Sequence, residues 1–358
     1  MINKRVDRVL AAMREANLTQ MVISDPGAIF YLSGKWIHPG ERMLALYLST
    51  QKKGVLIVNE LFPIPEDLGI DIAYYNDIDS PVALLAKAVN KEAPLGIDKT
   101  WPSRFLIELM ELGAASKVIN SSYIVDNVRM IKDQEECELM RKASLLNDQA
   151  MEQLQQYIQP GMTEKQVADK LAQIYEKLGA DGYSFEPIIA FGPNGANPHH
   201  STGSAVAKTG DSVIFDIGCI KDSYCSDMTR TIFLGEAAPK QQEVYSIVRN
   251  ANLAAIAAVK PGVRFCDIDK AARDYIAQHG YGDRFLHRTG HSIGLECHEF
   301  GDVSSINTMK VAPGMIFSIE PGVYLTGDFG VRIEDLVLVT EDGCEVLNHY
   351  TKELQVVK

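Results

Sequence analysis

The sequence predicts an α+β protein in two parts, a smaller α/β domain over residues 1–124 and a larger domain with pseudo-twofold symmetry over residues 125–358. Three observations carry this. Short β-rich runs alternate with helical patterns up to about residue 124. The texture then changes to one long helical stretch. Beyond it, two similar helix-then-strands units follow one another.

In the first part, Met21-Val-Ile-Ser, Leu44-Ala-Leu-Tyr-Leu and Gly54-Val-Leu-Ile-Val read as strands, and Pro81 to Val89 reads as a helix. A long helix is predicted from near Asp133, with Leu139, Ala143, Leu146 and Ala150 on one face. The next begins at Gln159-Pro-Gly-Met-Thr, where Thr163 and Gln166 form a capping box, and stops at Gly179. Lys260-Pro-Gly-Val-Arg-Phe opens its counterpart, which ends at Gly280. Pro160 and Pro261 are 101 residues apart, and so are Gly179 and Gly280. Such a repeat places a site between its halves.

Composition narrows the function. A net charge of −12 and the lack of a basic cluster argue against nucleic-acid binding. The N-terminus mixes charges with apolar residues, unlike a signal peptide, and the apolar run Leu253–Val259 is too short to span a bilayer. The six cysteines, none in a Cys-x-x-Cys pair, read as reduced and mostly buried thiols. A cytoplasmic protein is expected.

Five segments place acids or imidazoles in apolar, strand-like surroundings. Ser212-Val-Ile-Phe-Asp216 puts a carboxylate in a buried strand, and Tyr224-Cys-Ser-Asp227-Met-Thr puts one in the next, across the hairpin turn Cys219-Ile-Lys-Asp-Ser. Met315-Ile-Phe-Ser-Ile-Glu320 ends a strand with a third, and Gly330-Val-Arg332-Ile-Glu334 carries a fourth. A buried carboxylate is costly unless paired or bound to a metal. Arg230, Arg288 and Arg332 could neutralise part of this charge, but a pair of divalent ions does so better. Oxygen-rich ligands suit Mn²⁺, Co²⁺ or Zn²⁺. The fifth segment, His287-Arg288-Thr-Gly-His291 through His298-Glu, gathers three of the eight histidines. Its glycines argue for strand and loop rather than a helical His-x-x-x-His site. The loop Gly192-Pro-Asn-Gly lacks the Lys-Ser/Thr of a phosphate-binding loop.

Phe-Asp216-Ile-Gly, Ser-Asp227-Met-Thr-Arg-Thr, His287-Arg-Thr-Gly-His291-Ser-Ile-Gly, His298-Glu, Ile-Glu320-Pro-Gly and Arg332-Ile-Glu334-Asp together resemble the pita-bread metallopeptidases, in order and spacing, across residues 130–358. Ile29-Phe-Tyr-Leu-Ser-Gly and Pro39-Gly-Glu-Arg42 resemble the N-terminal domain of the Xaa-Pro peptidases, which the methionine aminopeptidases of this fold lack. The resemblance implies two divalent metal ions per chain, Mn²⁺ first and Co²⁺ or Zn²⁺ as alternatives. They would be bound by Asp216, Asp227, His291, Glu320 and Glu334, with Asp227 and Glu334 bridging. It makes Glu320 the acid/base, and His298 and His199 the groups that bind substrate and the developing oxyanion, with His200 a rival for the place of His199. His287 and Arg332 would line a proline pocket and Arg288 would meet a substrate carboxylate; for His287, orienting His291 is an equal alternative.

The implied activity is hydrolysis of the bond before proline in Xaa-Pro dipeptides. The alternative is an aminopeptidase P acting on longer Xaa-Pro peptides. A metal-free creatinase-like hydrolase and a non-catalytic binding scaffold stand further off, because all five ligands are present. Phe300-Gly301-Asp302 departs from relatives that have a proline two residues after His-Glu and from prolidases with an arginine shortly after it. That bears directly on dipeptidase against aminopeptidase. A homodimer is implied, with the N-terminal domain of one subunit reaching the site of the other.

Overall fold

The computed structural model describes residues 1–357, which divide into one compact unit Met1–Arg129 and a second beginning at Met130. In the first unit, a six-stranded mixed sheet runs in the order Asp71–Tyr75, Val55–Asn59, Ala45–Ser49, Gln20–Ile23, Pro94–Ile97, Lys117–Asn120. The strands expected near Met21, Leu44 and Gly54 form within a residue or so of their predicted places, and the helix Pro81–Ala88 does too. Val22, Tyr47, Ile57 and Leu95 supply its core. Residue 125 lies inside the helix Ser122–Met130, so the change of texture there falls within an element rather than in a linker.

The second unit holds the repeat. Helix Gln134–Tyr157 starts on an Asp133 capping box with Glu136 and pairs with helix Glu164–Leu178. The latter carries the predicted Thr163/Gln166 box and ends on Gly179, whose φ of 77° suits a residue without Cβ. Val167, Leu171 and Ile174 are fully or almost fully buried. Each such side chain contributes about 1.5–3 kcal/mol. The counterpart pair is Pro239–Ala258 with Phe265–Gln278, followed by Gly280 at φ 84°.

Each helix pair faces its own antiparallel strands. The first half has Ile188–Phe191, Ser212–Ile217 and Met228–Leu234, edged by Val356–Val357. The second has Glu299–Val303, Gly290–Ser292, Ile316–Ile319, Asp335–Val339 and Cys344–Val346, with the hairpin Gly322–Leu325/Phe329–Arg332 beside it. The 219–225 hairpin turns on Asp222 and Ser223, both at positive φ, the signature of a type I′ turn. No helix among the described residues is long and apolar enough to cross a membrane.

Candidate metal centre

Strand ends from both halves of the second unit converge on one cavity of about 490 Å³. Asp216 is the penultimate residue of strand 212–217, and Asp227 directly precedes strand 228–234, which pairs with it. His291 is the middle residue of the short strand 290–292, held there by Ser318 Oγ accepting its N–H at 3.0 Å. Glu320 follows strand 316–319. Glu334 sits between strands 329–332 and 335–339. Ten of the residues singled out in the sequence line this cavity: the five above with His199, His287, Arg288, His298 and Arg332.

The carboxylates are crowded and short of partners. Asp227, His291 and Glu334 each offer a donor atom within 4.8 Å of the other two. Asp216 Oδ1, Asp227 Oδ1 and Glu334 Oε1 are buried without a hydrogen-bond partner, a rare state for such atoms in folded proteins. The other oxygens are held: Thr229 Oγ1 donates to Glu334 Oε2 at 2.7 Å, and Arg332 Nη2 to Asp216 Oδ2 at 2.6 Å. Burial, followed by repulsion from the neighbouring acids, pushes Asp227 and Glu334 well above the usual carboxylate range. Burial likewise raises Glu320, to about 7, although Arg332 opposes it.

His291 points the same way. Burial, followed by the His298 and Arg288 charges, holds it neutral, down to about 3. Its Nδ1 lies 3.3 Å from the Ser292 carbonyl, which can only accept, so Nδ1 carries the proton. Nε2 then presents a lone pair to Asp227 Oδ2 at 3.6 Å and Glu320 Oε1 at 3.7 Å. A lone pair aimed at carboxylate oxygens is repulsive unless a cation lies between them. The donor set therefore fits divalent metal.

The arginines divide: Arg230 does not serve the acid cluster as the sequence suggests, whereas Arg332 does. Arg230 is spent on Asp335, at 2.8 Å, and on the Glu334 carbonyl. Burial would raise Asp335, but Arg230 and Lys352 more than reverse it. Arg332 is 3% exposed and donates to Asp216, Thr229, Tyr324 and the Pro198 carbonyl. Arg288 is exposed at the cavity, as are His199 and His298.

Tyr324 and Cys297 escaped the sequence reading. His287 Nδ1 donates to the Arg288 carbonyl at 2.7 Å, so its Nε2 accepts from Tyr324 Oη at 2.7 Å, and Tyr324 in turn accepts from Arg332. Both ring nitrogens of His287 are thus engaged within the protein. Cys297 Sγ donates to Asp227 Oδ2 at 3.4 Å. The hairpin pattern around Tyr324 was readable; its contact with His287 was not. His200 is turned to Glu164, at 2.8 Å, while His199 lines the cavity.

Comparison with known proteins gives a consistent result. Residues 138–341 match metallopeptidase family M24, and residues 5–131 match the creatinase/prolidase N-terminal domain. An uncharacterized peptidase of Staphylococcus aureus is 36% identical, over 97% of this chain and 99% of its own. Among solved structures, a dipeptidase from Pyrococcus horikoshii superimposes with a TM-score of 0.92 at 34% identity, covering 99% of this chain and 100% of the other. The Xaa-Pro dipeptidase from Bacillus anthracis does so at 0.91 and 31%, covering 100% of both.

Proposed function

The chain belongs to metallopeptidase family M24, with the family's α+β catalytic domain behind a creatinase/prolidase N-terminal domain, and from that premise we propose that it hydrolyses the bond before proline in Xaa-Pro dipeptides. The observation that carries the reading is the set of unpartnered carboxylate oxygens beside the Nε2 lone pair of His291 in one cavity. The dipeptidase neighbours support the substrate class.

In this reading Asp216, Asp227, His291, Glu320 and Glu334 would hold two divalent ions, Mn²⁺ first. When bound, the ions supply a water acidic enough to attack near neutral pH and a charge that polarises the scissile carbonyl. Glu320 takes the proton of the attacking water and returns it to the departing proline nitrogen. His298 and His199, exposed at the cavity, donate N–H bonds to the oxygen on which charge develops. Arg332 holds Asp216 in place and, with His287, lines the proline site. Arg288 meets the free carboxylate that only a dipeptide presents there. The same reading has the chain act as a homodimer in the cytoplasm.

Metal analysis and peptide assays test this together. The purified protein should bind about two divalent ions per chain. Cleavage of Xaa-Pro dipeptides should be lost on chelation and restored by Mn²⁺ or Co²⁺. Full dipeptidase activity at negligible metal content would overturn the reading.

A further inference from the structure

Several buried carboxylates of the catalytic unit lie outside the metal cluster, and one of them, Glu164, stands beside a segment that reaches the cavity. Glu164, the first residue of helix 164–178, is 0% exposed. A negative charge is favourable at a helix N-terminus, but burial of the whole side chain requires more than that. Its two oxygens accept four hydrogen bonds. Oε1 takes the Phe191 N–H at 3.1 Å and Asn194 Nδ2 at 2.8 Å; Oε2 takes His200 Nε2 at 2.8 Å and the Gly203 N–H at 2.9 Å. That fills the acceptor capacity of a carboxylate.

All four donors belong to one segment, residues 191–203, which leaves strand 188–191, makes a 3-10 turn over Gly192–Ala196 and then continues as irregular chain. Between the bonded residues it carries Pro198 and His199 to the cavity. His200 faces back to Glu164, and the Pro198 carbonyl accepts from Arg332 at 3.4 Å. The segment is thus tied from behind by the carboxylate and presents the next residue in sequence forward. Without those ties an irregular segment rich in Gly, Pro and Asn has many conformations to explore.

We propose that Glu164 is a positioning residue for His199: by gathering the 191–203 segment onto the start of its helix, it fixes which of two adjacent histidines faces the substrate. This rests on the role given to His199 above. It also explains why a wholly buried acid at this place is not a liability, since every lone pair has a donor.

Glu164→Gln tests it, because the shape survives while two of the four acceptor positions become an NH₂ that faces donors. A double-mutant cycle with His199→Ala separates positioning from general support. Glu164→Gln should lower kcat/KM for a Xaa-Pro dipeptide on the order of tenfold when His199 is present, and less than about twofold in the His199→Ala background. Most of the loss should fall on kcat, with metal content unchanged. Hydrogen exchange of residues 191–203 should accelerate locally at least about tenfold, which needs no turnover to be seen.

Equal losses in both backgrounds would mean a structural role and overturn the proposal, as would unchanged exchange in the 191–203 segment. If Glu164→Gln does not fold, Asn194→Ala, which removes one of the four bonds, should show the same coupling at smaller size; no coupling there is equally decisive against it. A wild-type chain that cleaves no Xaa-Pro dipeptide sinks the peptidase reading and this role of His199 with it. In that case the exchange experiment still reports whether Glu164 holds the segment.

Discussion

Glu334 has one oxygen bonded by Thr229 and the other without a partner, in a cluster that includes Asp227. In the metal-free chain, burial and repulsion raise Asp227, Glu320 and Glu334, so each binds a proton more tightly folded than unfolded. The sign follows: they cost no stability below the unfolded carboxylate range, and the penalty grows as pH climbs through the raised values, for Glu320 about 7. With a chelator present, the wild-type Tm should therefore fall between pH 5 and pH 8. Glu334→Gln should fall less and melt about 2–4 °C higher at pH 8, the size expected for roughly 1 kcal/mol in a domain of this length. With Mn²⁺ the order should reverse, and activity should be lost. Parallel Tm curves for the two chelated proteins would remove the electrostatic argument. His298 differs, because it is exposed at the cavity and its ring lies 4.1 Å from that of His291. His298→Ala should lower kcat by roughly 10²–10³ with metal content and Tm intact. Normal kcat with a lower Tm would instead make it a packing residue.

At the scale of elements, a long helix in each half reaches the segment that serves the cavity. Helix 164–178 does so through Glu164. Helix 265–278 does so through Asp269, which is fully buried, accepts from Thr289 Oγ1 at 2.7 Å and pairs with Arg273. Arg273 then donates to the Phe285 and His287 carbonyls, at 3.2 and 2.9 Å. The segment 285–289 lies outside the strands and is tied to them at Thr289, whose N–H donates to the Val303 carbonyl at 2.8 Å, and the Asp269 and Arg273 contacts add to that in placing His287 and Arg288. Asp269→Asn should raise KM for a dipeptide several-fold through loss of that placement. It should also lower stability by about 1–3 kcal/mol, the usual range when a buried acceptor is weakened. Steady-state kinetics beside thermal melts check both. An unchanged KM with the stability loss would leave Asp269 a purely structural acid.

For the whole molecule, the open question of function is the length of the peptide. A dipeptide brings a free carboxylate next to its proline, and a charge entering a confined site needs a cation. Arg332 is committed to Asp216 and Tyr324, and Arg42, in the first unit, forms a two-bond pair with Asp77 at 2.8 and 2.9 Å. Arg288, exposed at the cavity, is left for the task. Xaa-Pro dipeptides should therefore be cleaved at least as well as Xaa-Pro-Xaa tripeptides, and Arg288→Ala should harm the dipeptide by about tenfold more. A clear preference for tripeptides, with Arg288→Ala affecting all lengths alike, would make the enzyme an aminopeptidase. Asp302, which pairs in register with His291, puts an acid where some prolidases carry an arginine, and it is the feature that favours that second reading.

By itself the sequence determined the helices, their caps and the repeat, because these depend on neighbours three or four residues away and on apolar periodicity. Thr163 with Gln166, Gly179 and the hairpin at Asp222 are local chemistry and were legible as such. The acids were legible for a related reason: a carboxylate inside an apolar strand is conspicuous wherever the strand ends up. What only the tertiary structure decided was partnership across long separations. Arg332 meets Asp216 from 116 residues away, Arg230 goes to Asp335 rather than to the metal cluster, and Tyr324 joins His287 from 37. Spacing to Asp216 already favoured His199 over His200, but the physical reason they differ is tertiary: Glu164, 36 residues before His200, binds it.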